Sequence, residues 1–89
     1  MTTHILFFGG AHCKPCHDIK PIVEQVIAEC GYNYEYINAE ANIDRAMSYG
    51  ISGVPALVVL RDGVWWDTIC GPSTRKERVA DSLRQYREG

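Results

Sequence analysis

The sequence lacks a charge excess of either sign. Its 89 residues contain 9 Lys+Arg and 11 Asp+Glu, which gives a formal net charge of −2 at pH 7. Proteins that bind nucleic acid or an anionic membrane surface do so through clustered Lys and Arg side chains. We therefore expect neither to be the main partner of this protein.

Long apolar runs are also absent. No segment approaches the roughly 20 apolar residues that a membrane-spanning helix needs. The first residues, Met1–Ile5, contain no basic region ahead of an apolar stretch, so no secretory signal is expected. These features favour a cytoplasmic protein. In that compartment the four cysteines are more often reactive or metal-binding than structural disulfides.

What the sequence does have is a regular alternation of helix-like and strand-like patterns. Its length favours a single domain, spanning residues 1–89. The apolar periodicity predicts strands at Ile5–Phe8, Tyr32–Ile37, Ala56–Leu60 and Val64–Cys70. It predicts helices at Pro15–Cys30, at Asn42–Tyr49 and from Thr74 onward. Thr74 and Glu77 have the spacing of a capping box at the start of the last helix.

The resulting order, β-α-β-α-β-β-α, predicts an α/β fold. The first two strands are joined through a helix, so they should be parallel with a right-handed crossover. The two-residue turn Asp62-Gly63 should make the last pair antiparallel. We expect one four-stranded mixed sheet with helices on both faces. In the last strand we expect one of Trp65 and Trp66 to be buried. Cys70 is expected to be a small buried residue at the strand end; the alternative, a third thiol near the active site, follows from its position beside Gly71.

The reactive chemistry is expected at Cys13-Lys14-Pro15-Cys16, between the first strand and the first helix. The first turn of a helix has unpaired N–H groups and a positive dipole end, which favour a thiolate at Cys13. Lys14 and a protonated His12 would add to this effect. Cys16 lies one turn further on, so Cys13 can attack a disulfide and Cys16 can resolve the mixed intermediate. Pro15 suits a first helical turn because it needs no hydrogen-bond acceptor there.

A C-x-x-C motif alone leaves other interpretations open. A zinc site would need an irregular ligand set drawn from His12, His17, Cys30 and Cys70. Cys13-x-x-Cys16-His17 also matches the attachment motif of c-type haem. The position of the motif between a strand and a helix favours a redox pair over both, and over two merely structural thiols.

Further motifs give the chain a resemblance to the thioredoxin family. Pro21 lies five residues beyond Cys16, Tyr49–Pro55 leads into a strand, and Gly71 follows the Asp62-Gly63 hairpin. The match covers roughly residues 5–85. The chain lacks the additional N-terminal strand and helix of a full thioredoxin, so the resemblance implies a minimal thioredoxin fold, close in size to glutaredoxins.

The resemblance implies a dithiol–disulfide oxidoreductase that reduces protein disulfides, with Cys13 as the nucleophile and Cys16 as the resolving thiol. Pro55 would be a cis-proline facing the two cysteines. The substrate-contacting surface would comprise His12, Lys14, Pro15, Val54, Pro55 and Gly71. No cofactor and no metal are expected, and the protein should be a monomer.

The chain also departs from the family. His12 replaces the tryptophan that usually precedes the nucleophile. Phe7 and Tyr36 stand where thioredoxins carry a buried aspartate and a neighbouring lysine, so a carboxylate proton relay is not implied. Glutaredoxins lack that aspartate too, which keeps a glutathione-dependent reductase as the alternative. Glutaredoxins typically have a second glycine and an acidic residue in the stretch that here reads Cys70–Arg75. The absence of both favours a thioredoxin-reductase-type flavoprotein as the electron donor.

Overall fold

The computed structural model describes residues 2–87. Its strands are β1 (Thr3–Gly9), β2 (Asn33–Asn38), β3 (Ala56–Arg61) and β4 (Val64–Ile69). Its helices are α1 (Lys14–Cys30), α2 (Ile43–Ser48), a short 3-10 helix (Gly71–Thr74) and α3 (Val79–Arg84). The predicted domain of residues 1–89 includes Met1, Glu88 and Gly89, which lie outside the described residues.

The four strands form one mixed sheet in the order β2-β1-β3-β4. β1 pairs in parallel with β2 and antiparallel with β3, and β4 runs antiparallel to β3. Asp62 and Gly63 join β3 to β4 with φ angles of 52° and 81°. Two residues with positive φ are what the favoured two-residue hairpin turn requires, and an Asp-Gly pair adopts them readily. The predicted fold class and strand directions are confirmed.

Helices cover both faces of the sheet, as predicted. On one face α1 and α3 pack over β1 and β3 around Phe7, Val23 and Leu83, all fully buried. On the other face the short α2 covers a smaller cluster that includes Phe8 and Val58. The central strands are buried on both sides, which accounts for their continuous apolar runs.

α1 ends at Cys30, as the sequence indicated, and begins at Lys14, one residue before the predicted start. The Cys13 side chain caps its N-terminus. Gly31, with φ 69°, ends it by donating its N–H to Ile27 O at 2.9 Å. Pro21 lies inside the helix. Among the helices of the described chain, α1 included, none has the length and apolarity needed to cross a membrane.

The prediction of a capping box at Thr74 is wrong. Thr74 lies in the 3-10 helix, is 6% exposed, and donates its hydroxyl to Gly71 O at 2.7 Å. Glu77 is exposed in the turns that follow, and α3 begins only at Val79. Because α3 starts five residues after Thr74, Thr74 lies too far from its first turn to cap it.

The prediction that one tryptophan of β4 would be buried is also wrong. Trp65 is 53% exposed and Trp66 is 51% exposed. The register shifts between Val59 and Leu60, whose partners on β4 are Asp67 and Trp65, so Trp66 is an extra residue on that strand. Such a bulge breaks the alternation of faces on which the prediction rested.

Candidate functional site

The two cysteines of the motif are joined in a disulfide where β1 leads into α1. Cys13 and Cys16 have Cα atoms 5.3 Å apart. The N–H of Cys16 donates to Cys13 Sγ at 3.2 Å, so the sulfur of Cys13 lies over the open first turn of the helix. Cys16 is fully buried, whereas Cys13 is partly exposed. An incoming disulfide can therefore reach Cys13 and not Cys16.

The basic residues flanking the disulfide point into solvent. Lys14 pairs with Asp18 one turn along α1, at 3.0 Å, and its side chain is 85% exposed. His12 is exposed, as is His17, whose Nε2 lies 3.2 Å from Ala11 O. The pairing with Asp18 offsets the positive charge of Lys14, so the helix N-terminus is the main field at Cys13.

The loop before β3 brings the remaining predicted residues to the disulfide. The Val54–Pro55 peptide bond is cis, which confirms that prediction. Val54, Pro55 and Gly71 line one cavity of about 430 Å³ beside the loop. Pro15 of the motif lines a smaller cavity of about 220 Å³, together with Pro55. The structure thus places Pro15, Val54, Pro55 and Gly71 along two cavities that share Pro55.

The two other cysteines are free thiols. Cys70 is exposed and lines the same cavity as Pro55 and Gly71, so the prediction that it would be buried is wrong. The reason is its position one residue past the end of β4, where the chain turns outward into the 3-10 helix. Cys30 is partly buried at the far end of α1.

Aromatic side chains lie beneath the disulfide, where the family would have a charged pair. Phe7 is fully buried, and its ring centroid lies 5.0 Å from that of Tyr36 on β2. Tyr36 reaches along the sheet to Gly9. A Cβ on Gly9 would overlap the Tyr36 hydroxyl and stand 2.8 Å from its Cζ. Tyr36 therefore occupies the space that any side chain at Gly9 would need.

Two charged residues of α1 pair with each other beside Tyr36. Lys20 Nζ lies 5.2 Å from the ring centroid of Tyr36 and 2.7 Å from Glu24 Oε2. The hydrogen bond from Lys20 holds the pKa of Glu24 below its usual range. Burial, with the negative charge of Glu24 nearby, raises the pKa of Tyr34, whose hydroxyl donates to that carboxylate. None of these groups supplies a buried carboxylate beside Cys16.

One residue near the nucleophile was missed by the sequence analysis. A Cβ on Gly10 would lie 3.4 Å from Glu40 Oε1 and 3.6 Å from Cys13 Cβ, so Glu40 approaches the reactive cysteine across Gly10. Glu40 follows β2, and the carboxyl ends of parallel neighbours meet at one edge of a sheet. That rule, combined with the predicted parallel pairing of β1 and β2, was a signal that could have found it.

The zinc alternative requires a set of metal ligands. Within residues 2–87 no group of three or more His, Cys, Asp or Glu side chains is close enough together to hold a metal ion. His12, His17, Cys30 and Cys70 are therefore not assembled into the ligand set that this alternative needs.

Comparisons of the sequence find a matching family model and thioredoxins among the relatives. A family model described as "Thioredoxin domain" matches residues 1–65. A thioredoxin from Pyropia yezoensis is 30% identical over 81 residues, which is 89% of this chain and 75% of the relative. A thioredoxin from Bacillus subtilis is 33% identical over 66 residues, covering 72% of this chain and 64% of the relative.

Solved structures share the fold. A thioredoxin variant from Halobacterium salinarum superposes with a TM-score of 0.83 at 26% identity, over 98% of this chain and 76% of that one. Thioredoxin 1 from Thermosipho africanus superposes with a TM-score of 0.80 over 93% of this chain and 92% of that one. At 16% identity the second likeness concerns the fold alone.

Proposed function

This chain belongs to the thioredoxin family, and we propose that it reduces protein disulfides in the cytoplasm with electrons from a thioredoxin-reductase-type flavoprotein. It is a thiol–disulfide oxidoreductase with a redox-active C-x-x-C pair. The observation that carries the proposal is the difference in access between its two linked cysteines, Cys13 at the surface and Cys16 fully buried.

The first chemical step belongs to Cys13. In the reduced protein its thiolate lies at the N-terminus of α1, where the helix dipole and the N–H of Cys16 stabilise the negative charge. The thiolate attacks one sulfur of the substrate disulfide. A bond forms between Cys13 Sγ and that sulfur, the substrate disulfide breaks, and the other substrate sulfur leaves as a thiolate that takes a proton from water.

The second step belongs to Cys16. Its sulfur attacks Cys13 Sγ, which re-forms the intramolecular disulfide and releases the second substrate thiolate. Two electrons have then passed from the dithiol to the substrate. Cys16 loses its proton as it attacks. Phe7 of the same apolar cluster carries no acceptor, so the proton goes to water or to the substrate sulfur as that sulfur leaves.

The stretch Cys70–Arg75 supports a flavoprotein donor over glutathione, because it contains one glycine, and a basic residue where glutaredoxins typically have an acid. The nearby cavity lined by Pro15 and Pro55 holds charges of both signs, Arg75 and Lys76 together with Asp18 and Glu77. Thr74 already donates its hydroxyl to Gly71 O, so this hydroxyl is not available to hold a glutathione carboxylate.

The cellular setting is part of the proposal. Cys70 is an exposed free thiol, which suits a reducing compartment such as the cytoplasm. The small net charge, −2, supports protein disulfides as substrates and speaks against nucleic acid or membrane partners. We include a monomeric state, because attack on a macromolecular disulfide needs an uncovered Cys13.

Trapping the intermediate tests the proposed roles. The Cys16→Ser variant, first reduced and then challenged with a disulfide substrate such as insulin, should accumulate a mixed disulfide at Cys13, since attack survives and resolution does not. Mass spectrometry of peptides locates the bond, and Cys13→Ser is the matched control that should trap no substrate at Cys16. A mixed disulfide at Cys16 in Cys13→Ser, formed as fast, would contradict the roles.

A comparison of electron donors tests the rest of the proposal. Turnover with NADPH and thioredoxin reductase should exceed turnover with NADPH, glutathione and glutathione reductase. The opposite order would identify the protein as a glutathione-dependent reductase. Stoichiometric zinc in the purified protein, with no disulfide reduction by either route, would favour the zinc-binding module.

A further inference from the structure

A partly apolar groove lies along α2. We call it the α2 groove and define it by Glu40, Ile43, Met47, Ile51 and Val54; its volume is about 500 Å³. Ile43, Met47 and Val54 are 58%, 67% and 38% exposed. Large apolar side chains that remain exposed along one groove mark a surface suited to another molecule.

One end of the groove lies near the nucleophile, with Gly10 between them. A Cβ on Gly10 would lie 3.6 Å from Cys13 Cβ, 3.4 Å from Glu40 Oε1 and 3.9 Å from Val54 Cγ2. Glu40 and Val54 therefore form the end of the groove nearest to the reactive cysteine, and Ile43 and Met47 form the end further away. A polypeptide whose cysteine reaches Cys13 can place its neighbouring residues along this surface.

The end of the groove near Cys13 is negatively charged. Glu40 is the sole charged residue that lines the groove, and among residues 2–87 no side chain donates to its carboxylate. Arg45, the cation nearest to Glu40 along the chain, forms two hydrogen bonds with Glu35. Lys14, which follows Cys13, pairs with Asp18. At physiological ionic strength a charge acts over about 8 Å, so Glu40 acts on residues next to a bound cysteine.

We propose that Glu40 and the α2 groove select substrate polypeptides that carry Lys or Arg beside the reacting cysteine and an apolar residue within a few positions of it. This inference rests on the proposed function and names its substrate class. Two features identify such a polypeptide as the occupant of the groove. Its basic residue complements the negative charge of Glu40, and its cysteine can reach Cys13 beside the groove. An acidic substrate segment is repelled by the same carboxylate that attracts a basic one.

Peptide disulfides of varied sequence test the charge preference. Each peptide carries one cysteine as a mixed disulfide with 2-mercaptoethanol, flanked by Lys, Gln or Glu. At low salt kcat/KM should fall in that order, with steps of about two- to fivefold, the range of an exposed ion pair. The steps should shrink in 0.5 M NaCl, because salt screens exposed charges.

Variants of Glu40 test whether its carboxylate causes the preference for basic peptides. Glu40→Gln should bring the Lys and Glu peptides to within about 1.5-fold of each other, and Glu40→Lys should reverse their order. Because each result is a ratio within one variant, a change in intrinsic reactivity cancels. Asp81→Asn on α3 removes the same charge far from the groove and should keep the wild-type ratio. An unchanged ratio in Glu40→Gln would overturn the proposal.

A second pair of variants tests the apolar part. A peptide with Leu near the cysteine should exceed its Ser counterpart in kcat/KM by about tenfold, since the groove removes part of the leucine side chain from water. Ile43→Ser, at an exposed position that should not disturb folding, should lower this ratio several-fold. Val64→Ser, at an exposed apolar position on β4, is the matched control and should leave the ratio unchanged.

Reduction of bis(2-hydroxyethyl) disulfide by the wild-type protein separates this inference from the proposed function. If this small neutral disulfide is reduced and the peptides show no preference, the function stands and the inference fails. If neither is reduced, the function itself fails. Sedimentation supplies one more outcome. A dimer that Ile43→Ser dissociates would mean that a second copy occupies the groove, which also overturns the inference.

Discussion

Replacing Phe7 with aspartate restores at that position the residue type that thioredoxins carry, and it tests the core beneath the disulfide. Phe7 is fully buried in β1, in ring contact with Tyr36 and in the same apolar cluster as Cys16. A carboxyl group there would enter a layer of aromatic and aliphatic side chains, with no buried cation beside it to pair with.

The expected loss of stability is large. Removing a buried phenylalanine ring costs about 3–5 kcal/mol. Burying a carboxyl group with incomplete hydrogen bonding adds about 1–3 kcal/mol even when it is protonated. The sum approaches the whole stability of a small domain, about 5–15 kcal/mol, so Phe7→Asp should be marginally folded at pH 7.

The pH dependence isolates the carboxyl group from the lost ring. Burial disfavours the charged form, so the pKa of the introduced carboxyl should rise above the value of about 3.9 expected in the unfolded chain. Between these two pKa values the folded state binds the extra proton. Stability should therefore fall with rising pH in that interval, by up to about 1.4 kcal/mol per unit.

Urea denaturation between pH 4 and 8 measures this effect, and Phe7→Asn is the matched uncharged control. The free energy of unfolding of Phe7→Asp should decline relative to that of Phe7→Asn as pH rises. A Phe7→Asp protein as stable as the parent would show that Phe7 is not buried as the structure has it. Parallel pH profiles for the two variants would refute the desolvation argument.

Two further predictions concern aromatic side chains. Gly9→Ala should lose about 1–3 kcal/mol of stability through overlap with the Tyr36 ring, and adding Tyr36→Leu should recover part of this loss. A double-mutant cycle measured by urea denaturation would contradict the contact if it showed no coupling between the two positions. Burial, which each group's hydrogen bond reinforces, raises the pKa values of Tyr32, Tyr34 and Tyr86. Their contribution to stability is thus complete below pH 10 and is lost as pH rises further, so absorbance at 295 nm should show three tyrosines ionising only with unfolding.

The parts of the fold that the sequence predicted correctly depend on local patterns with strong physical causes. Continuous apolar runs fit only strands covered on both faces, as β1 and β3 are. Gly31 could be placed at the end of α1 because a left-handed residue closes a helix, and the Asp62-Gly63 pair predicted its own turn.

The errors arose where a local rule competed with tertiary structure. Thr74 has the residue type and spacing of a helix cap, but the chain buries it in a 3-10 turn that ends at its own position. Trp65 and Trp66 are consecutive, and consecutive residues of a regular strand point to opposite faces. The bulge opposite Val59 and Leu60 interrupts this alternation. Nothing in residues 64–69 taken alone specifies where the partner strand will shift its register.

The same contrast between local patterns and tertiary structure applies to the candidate site. The C-x-x-C chemistry could be predicted because its parts are four consecutive residues at a helix start, whereas Glu40 reaches Cys13 only through the pairing of β1 with β2. The register Phe7↔Tyr36 and Gly9↔Asn38 brings Glu40 alongside Gly10. A slip of one residue would move Glu40 along the sheet by about 3.3 Å and turn the Tyr36 ring to the opposite face, away from Phe7.

The contact between the Phe7 and Tyr36 rings therefore stabilises the register between β1 and β2, and this register determines where the charge of Glu40 lies. Tyr36 can lie against Phe7 and reach past it because Gly9 has no side chain, and this packing holds β2 in the one register that presents Glu40 to the nucleophile. A variant that loosens the Tyr36 contact should then weaken the preference for basic peptides while Glu40 itself is intact. Tyr36→Leu in the wild-type background tests this: the ratio of kcat/KM for the Lys and Glu peptides should fall towards 1. A Tyr36→Leu protein that keeps the full ratio would show that the position of Glu40 is fixed by the loop after β2 and not by the packing of the sheet.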